Sequence, residues 1–156
     1  MIEAGSPAPD FSLPDAEGRL HCLADFRGSF LVLYFYPRDD TPGCTKEACG
    51  FRDLHAGIRA AGAAVVGVSA DSVAAHQRFR DKYDLPFLLL SDPERSLITA
   101  FGAWGEKKMY GKVHEGIIRS TFLIDAKGIV RKVFPKVSPA GHAEEIIAAL
   151  SEIARP

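Results

Sequence analysis

Phe30-Leu-Val-Leu-Tyr-Phe-Tyr36 and the segment directly after it, Pro37-Arg-Asp-Asp-Thr-Pro-Gly-Cys-Thr-Lys-Glu-Ala-Cys49, decide the fold. The first stretch is unbroken in apolar, β-prone residues. A strand with one wet face alternates apolar and polar residues. This one does not, so it reads as a central strand buried on both faces. The second stretch opens a helix. Thr41 is a candidate N-cap, and Pro42 at N1 loses nothing by lacking an N–H.

Working outward, Ala63 to Ser69 and Phe87 to Leu90 read as further buried strands. Arg119 to Ile124 and Ile129 to Phe134 flank Asp125-Ala-Lys-Gly128, a hairpin turn. Helical patterns fall over about 42–61, over 72–83 with Asp71 or Ser72 as cap, briefly after Asp92-Pro93, and over 140–154. In the last of these, Ile146, Ile147, Leu150 and Ile153 form one stripe. Strands alternating with helices, then a hairpin and a terminal helix, predict a three-layer α/β sandwich around a central mixed β-sheet. Gly102 to Gly116 shows little periodicity and reads as a long surface loop. There is no internal repeat or linker, and 156 residues suit a single domain over 1–156.

Composition narrows the function classes. The chain is 47% hydrophobic, enough for an ordinary core, and its net charge of -1 gives no reason to expect nucleic acid or an anionic membrane as partner. The longest apolar run, Phe30 to Tyr36, is too short to cross a bilayer. Met1 to Gly5 lacks a basic stretch followed by an apolar one, so no secretory signal is read and the expected location is cytoplasmic. Cys22, Cys44 and Cys49 are the three cysteines. An odd count does not build a secreted disulfide framework. In a reducing compartment, disulfides are mostly transient and catalytic.

Position singles out Cys44. It falls at N3 of the predicted helix, at the C-terminal end of a core strand, where α/β folds place ligands. Free N–H groups and the positive end of the helix dipole act there. Thiols in such surroundings ionise more readily, and the thiolate is the nucleophile. On a helical wheel, Ala48, Phe51, Leu54, Ile58 and Ala61 share one apolar face. Cys44 lies roughly 40° from its centre and points inward, while Cys49 lies about 180° away, on the solvent side. Glu47 also turns inward and so needs a cationic partner, for which Arg119 at a strand start is the candidate. An exposed Cys49 is a poor core residue, which favours a redox role over an incidental surface thiol.

Ionisation alone is a limited gain. An unperturbed thiol is only a few per cent thiolate at neutral pH, so full ionisation raises reactivity by at most roughly 30-fold. Cleaving an O–O bond fast also needs donors fixed where charge develops on the leaving oxygen. The Cys44 N–H, the Thr41 hydroxyl and the Arg119 guanidinium are suitable types. The product would be a sulfenic acid, which a second thiol converts to a disulfide. Cys49 is the thiol at hand. Five residues of α-helix hold the two Cα atoms roughly 8.5 Å apart, and a disulfide needs less than about 7 Å. The first turns must therefore unwind for the bond to form. Gly43 and Gly50 lower the cost of that.

The run P-x-x-x-T-x-x-C, here Pro37, Thr41 and Cys44, resembles the active-site motif of the peroxiredoxins. The longer string Phe35 to Cys49 is similar to their bacterioferritin comigratory protein, or peroxiredoxin Q, branch. Gly5-Ser-Pro-Ala-Pro-Asp-Phe-Ser-Leu-Pro14, Phe26-Arg-Gly28, Asp92-Pro93, Arg119 to Asp125 and Gly141-His-Ala-Glu-Glu145 extend the match over nearly the whole chain. The resemblance implies a thioredoxin-like fold and thiol-dependent reduction of hydrogen peroxide and organic hydroperoxides. It implies Cys44 as peroxidatic cysteine, Thr41 and Arg119 as peroxide-positioning residues, and Pro37 as a shield of the thiolate. Cys49 matches the resolving position within the same helix. Members that resolve from a later helix are a different variant, since no cysteine follows Cys49 here. Reduced thioredoxin or a similar dithiol protein is the implied donor, a monomer the implied state, and no metal or organic cofactor is implied.

Other readings compete less well. A disulfide reductase of the thioredoxin kind would carry C-x-x-C, which is absent. A peroxide sensor would share the first chemical step and pass the oxidation to a partner protein. A metal site built on Cys44 and Cys49 lacks histidines at ligand spacing, since His21, His55, His76, His114 and His142 are dispersed. His142 reads as a capping or solvated residue. Trp104 and Tyr110 are candidates to line an approach to the site. Cys22 reads as a core or edge residue.

Overall fold

The structure is a computed structural model that describes residues 1–154. Its element order is β1 (Ser12–Pro14), β2 (Leu20–Cys22), β3 (Phe30–Phe35), α1 (Pro42–Asp53), α2 (His55–Ala60), β4 (Ala63–Ser69), α3 (Val73–Tyr83) and β5 (Leu88–Ser91). There follow α4 (Ser96–Ala100), β6 (Trp104–Met109), β7 (Lys112–Ile117), β8 (Ser120–Ile124), β9 (Val130–Phe134) and α5 (His142–Ile153). The main sheet has five strands in the order β5-β4-β3-β8-β9. β3 runs parallel to β4 and antiparallel to β8, so the sheet is mixed and β3 is its centre.

The unbroken apolar run of β3 is explained by burial on both faces. Leu31, Leu33 and Phe35 pack with Val66, Val68, Leu90 and Phe122 beneath α4 and the N-terminal segment. Val32, Tyr34 and Tyr36 pack on the other face with Ala48, Phe51, Ile58, Phe79, Ile146 and Leu150 from α1, α2, α3 and α5. Each fully buried side chain of this size contributes about 1.5–3 kcal/mol of transfer free energy. The result is the three-layer sandwich with a mixed sheet that the element pattern predicts.

Two expectations are corrected. The helix read over 42–61 is two helices, broken at Leu54, whose φ is -105 and ψ 10. Ile58 stays fully buried beyond the break, so the apolar stripe crosses it and periodicity alone does not reveal it. Residues 102–116 are not a loop but chiefly the hairpin β6–β7, in register from Trp104 with Ile117 to Met109 with Lys112. Its turn is Tyr110-Gly111, with φ of 54 and 75, the positive-φ pair that two-residue hairpins favour. Charged and glycine residues on these strands mask the alternation. Thr41 occupies the N-cap of α1 as expected, though its side chain makes no capping bond, and Ser72 Oγ caps α3, accepting from the Ala75 N–H at 3.1 Å.

Candidate active site

The loop of residues 37–41 leaves the C-terminal end of β3 and sets the start of α1. The Thr45 N–H donates to the Thr41 carbonyl at 2.8 Å, closing the first turn. The Thr41 hydroxyl turns back and donates to the Arg38 carbonyl at 2.9 Å. Its single proton is thus engaged, and its oxygen is left to accept. With Pro42 at N1, Cys44 stands at N3, where a backbone N–H has no partner inside the helix. The Cys44 side chain is buried at 1% exposure, on the same side as Ala48 and Phe51. Pro37 heads the loop, partly buried.

Arg119 reaches this point from the far side of the chain. It immediately precedes β8, and β8 lies against β3. Its Nη2 donates to Cys44 Sγ at 3.3 Å, and its Nη1 donates to Glu47 Oε1 at 2.7 Å. One guanidinium therefore spans the thiol and the carboxylate, a fork geometry that lysine could not reproduce. The Arg119 carbonyl accepts from the Val137 N–H at 3.0 Å, which fixes the backbone beneath the side chain. Gly43 makes room for it: a Cβ there would lie 3.2 Å from Arg119 Nη2 and 3.4 Å from Pro139 Cγ.

The electrostatics are those of a partly closed pocket. Burial pushes the Glu47 carboxyl up to about 7, against the downward pull of Arg119. Burial also opposes the charge on Arg119, but Glu47 and Cys44 together raise its pKa. Glu47 Oε2 and the Tyr34 hydroxyl are buried without hydrogen-bond partners among the described residues. Outside Arg119 opens a cleft of about 510 Å³ lined by residues 106–108, Ile118 and residues 135–137. Lys107 has its pKa lowered by burial and by Arg119, while Cys44 draws it upward. Tyr110 is 98% exposed at the hairpin tip, and neither it nor Trp104 lines this cleft.

The three thiols are free. Cys49 lies within the intact α1, partly buried rather than on the open solvent side. Arg52, one turn on, has its pKa raised by Asp53 and, in smaller part, by Cys49. Cys22 is partly exposed at the end of β2.

Two histidines differ from their reading or were missed. His142 is neither solvated nor a cap. It is 1% exposed, with Nε2 2.8 Å from Thr121 Oγ1 and its ring edge-on to Phe51 and Phe134. Burial lowers its pKa, against the pull of Glu145. Its signal was position: it is the first residue of α5, on the apolar side with Ile146. His76 is fully buried and contacts Asp39 of the loop. Nothing local in the sequence pairs residues so far apart.

Comparisons with known proteins agree with this geometry. Residues 4–133 match the AhpC/TSA family. The chain is 47% identical over 152 residues to Peroxiredoxin Bcp of Bacillus subtilis, covering 97% of each. It is 43% identical over 151 residues to Peroxiredoxin Bcp of Escherichia coli, again covering 97% of each. The bacterioferritin comigratory protein of Xanthomonas campestris, solved as trapped intermediate and ligand complexes bearing on its alkyl peroxide reduction activity, superposes with a TM-score of 0.90. It shares 41% identity, and 99% of each chain is covered. The layers described above are accordingly a thioredoxin-like fold, and this chain belongs to the AhpC/TSA family, in its peroxiredoxin Q, or bacterioferritin comigratory protein, branch.

Proposed function

We propose that the chain, as one domain, reduces hydrogen peroxide and organic hydroperoxides through Cys44. The Cys44 thiolate attacks one peroxide oxygen and breaks the O–O bond. The sulfur becomes a sulfenic acid, and the other oxygen leaves as hydroxide or alkoxide and takes up a proton. Arg119 and the Cys44 N–H stabilise the charge that develops on that oxygen. Thr41 orients the peroxide by accepting from its O–H. Pro37 shields the thiolate, and Glu47 holds Arg119 in place. Cys49 then displaces water from the sulfenic acid, and the Cys44–Cys49 disulfide forms once the first turns of α1 unwind. A dithiol protein such as thioredoxin reduces it, giving up two electrons and two protons. The natural setting is a monomer in the reducing cytoplasm.

The observation that carries this reading is the Arg119 guanidinium 3.3 Å from a buried thiol on a helix N-terminus. The test is peptide-mapping mass spectrometry after one equivalent of hydrogen peroxide is added to reduced protein. A Cys44–Cys49 disulfide is expected in the wild type, and a Cys44 sulfenic acid in Cys49→Ser. Cys44→Ser should consume no peroxide. Peroxide consumption by Cys44→Ser at the wild-type rate would overturn the assignment.

A further inference from the structure

Two consecutive aspartates of the loop of residues 37–41 face α3. Asp39 has a side chain only 6% exposed, and its Oδ2 lies 2.6 Å from Nδ1 of the buried His76. Its Oδ1 accepts from the Tyr36 hydroxyl at 2.6 Å. The Asp39 N–H donates to Asp71 Oδ2 at 2.9 Å, and Ser69 Oγ donates to that same oxygen at 2.5 Å. His76 Nε2 faces the Leu90 carbonyl at 2.9 Å. A carbonyl only accepts, so Nε2 carries a proton and Nδ1 is the ring atom that faces Asp39. Asp40, at φ 56, accepts from Lys82 Nζ and from the Tyr83 hydroxyl, both at 2.8 Å. The ligand-type atoms of Asp39, Asp71 and His76 lie within 4.8 Å of one another, but hydrogen bonds already engage these side chains. The group is a fastener rather than a cation site.

We propose that α3 clamps the loop of residues 37–41 through His76 and Asp39, and so sets how often the first turns of α1 open. The proposal rests on the reading of Cys44 and Cys49 given above. Peroxide attack needs α1 wound, with Cys44 beneath Arg119. Disulfide formation needs the same turns unwound. One opening equilibrium therefore serves the two steps with opposite sign. The body of α1 is held from within by Ala48 and Phe51, both fully buried. Its first turn contains Gly43 and gains no side-chain cap from Thr41, so by itself it is weakly held. The clamp supplies that hold from outside. Its buried half carries more weight. Lys82 and Asp40 are 57% and 43% exposed and are screened by solvent. Loss of His76 instead leaves a buried Asp39 without its partner.

The test is amide hydrogen exchange by mass spectrometry on the reduced protein, paired with stopped-flow oxidation by hydrogen peroxide. In His76→Ala, exchange over residues 42–48 is expected to rise on the order of tenfold, with β3 and β4 unchanged. Cys44 oxidation should slow, and the disulfide should form faster from the sulfenic acid. Asp39→Asn keeps the tie, because its amide can donate to Nδ1 and accept from Tyr36. It should stay within about twofold of wild type. The surface double variant Lys82→Ala, Tyr83→Phe should move every rate in the same direction by less, and if His76→Ala does not fold, Asp39→Ala, which cuts the same contact from the loop side, decides the matter. Unchanged exchange over 42–48 in a folded variant that cuts the His76–Asp39 contact overturns the clamp. So does exchange that rises equally in α1 and the sheet, which would mean general destabilisation. The exchange arm needs no peroxide, so a failed clamp and a failed peroxidase reading give different results.

Discussion

At the scale of residues, Glu47 sets a conflict that can be measured. Its side chain is fully buried and Arg119 holds it at 2.7 Å, yet burial keeps its carboxyl near 7. Below about 4.5, the ordinary value, folded and unfolded chains both hold the proton and Glu47 contributes nothing to pH dependence. As pH rises from there toward 7, the unfolded chain has released the proton and the folded chain keeps it. Stability therefore falls with rising pH. Above about 7 both states are ionised and the penalty is complete. Glu47→Gln lacks this titration, so its stability relative to wild type should improve by about 2–3 kcal/mol between pH 5 and pH 8. Urea unfolding at the two pH values checks it, and parallel curves would rule it out. The inward turn of Cys44 and Glu47 was legible from helical spacing, and the need for a cation at Glu47 followed from charge balance. The His76–Asp39 pair was not legible. It joins residues 37 apart, each of which looks like an ordinary polar residue within its own element.

At the scale of elements, α1 is compromised at its start, and the compromise serves the site. Gly43 weakens a helix turn by about 1 kcal/mol relative to alanine. A Cβ at that position would press on the Arg119 guanidinium at 3.2 Å. Gly43→Ala is therefore expected to leave global stability equal or up to about 1 kcal/mol higher, while peroxide oxidation of Cys44 slows. Stopped-flow kinetics beside thermal unfolding would show the two moving apart. An unaltered oxidation rate would mean that the guanidinium has room to spare. Helix α1 was read at the right start because Thr41-Pro42 announces it, but its end was overrun because Ile58 continues the stripe beyond Leu54. The β6–β7 hairpin escaped because its strands are mostly exposed and rich in charged residues, so alternation carried no signal. Its Tyr110-Gly111 turn was the only cue.

At the scale of the whole molecule, the central strand holds both layers together, and small residues decide how closely it can be packed. Gly67 of β4 lies opposite Tyr34 in the sheet. A Cβ on Gly67 would come within 2.8 Å of Tyr34 Cζ and 2.9 Å of its hydroxyl. Gly67→Ala should cost about 1–3 kcal/mol, because the ring has no free space to enter. Equilibrium denaturation reads this directly, and an unchanged midpoint would contradict the close approach. The layer order followed from the alternation of strands and helices together with the hairpin at Asp125 to Gly128. The pairing of β8 with β3 did not, since no local pattern states which strands become neighbours.

That pairing has a consequence for a chain still being made. Cys44 and Arg119 are 75 residues apart and meet only when β8 docks beside β3. During synthesis both cysteines of α1 leave the ribosome long before the arginine does. Until the sheet closes, Cys44 lacks the guanidinium that the finished site places beside it. On the proposed role of Cys44, reactivity toward oxidant thus arrives with completion of the fold, and a nascent or truncated chain ending before Arg119 would meet oxidative stress with the thiol but without its guanidinium.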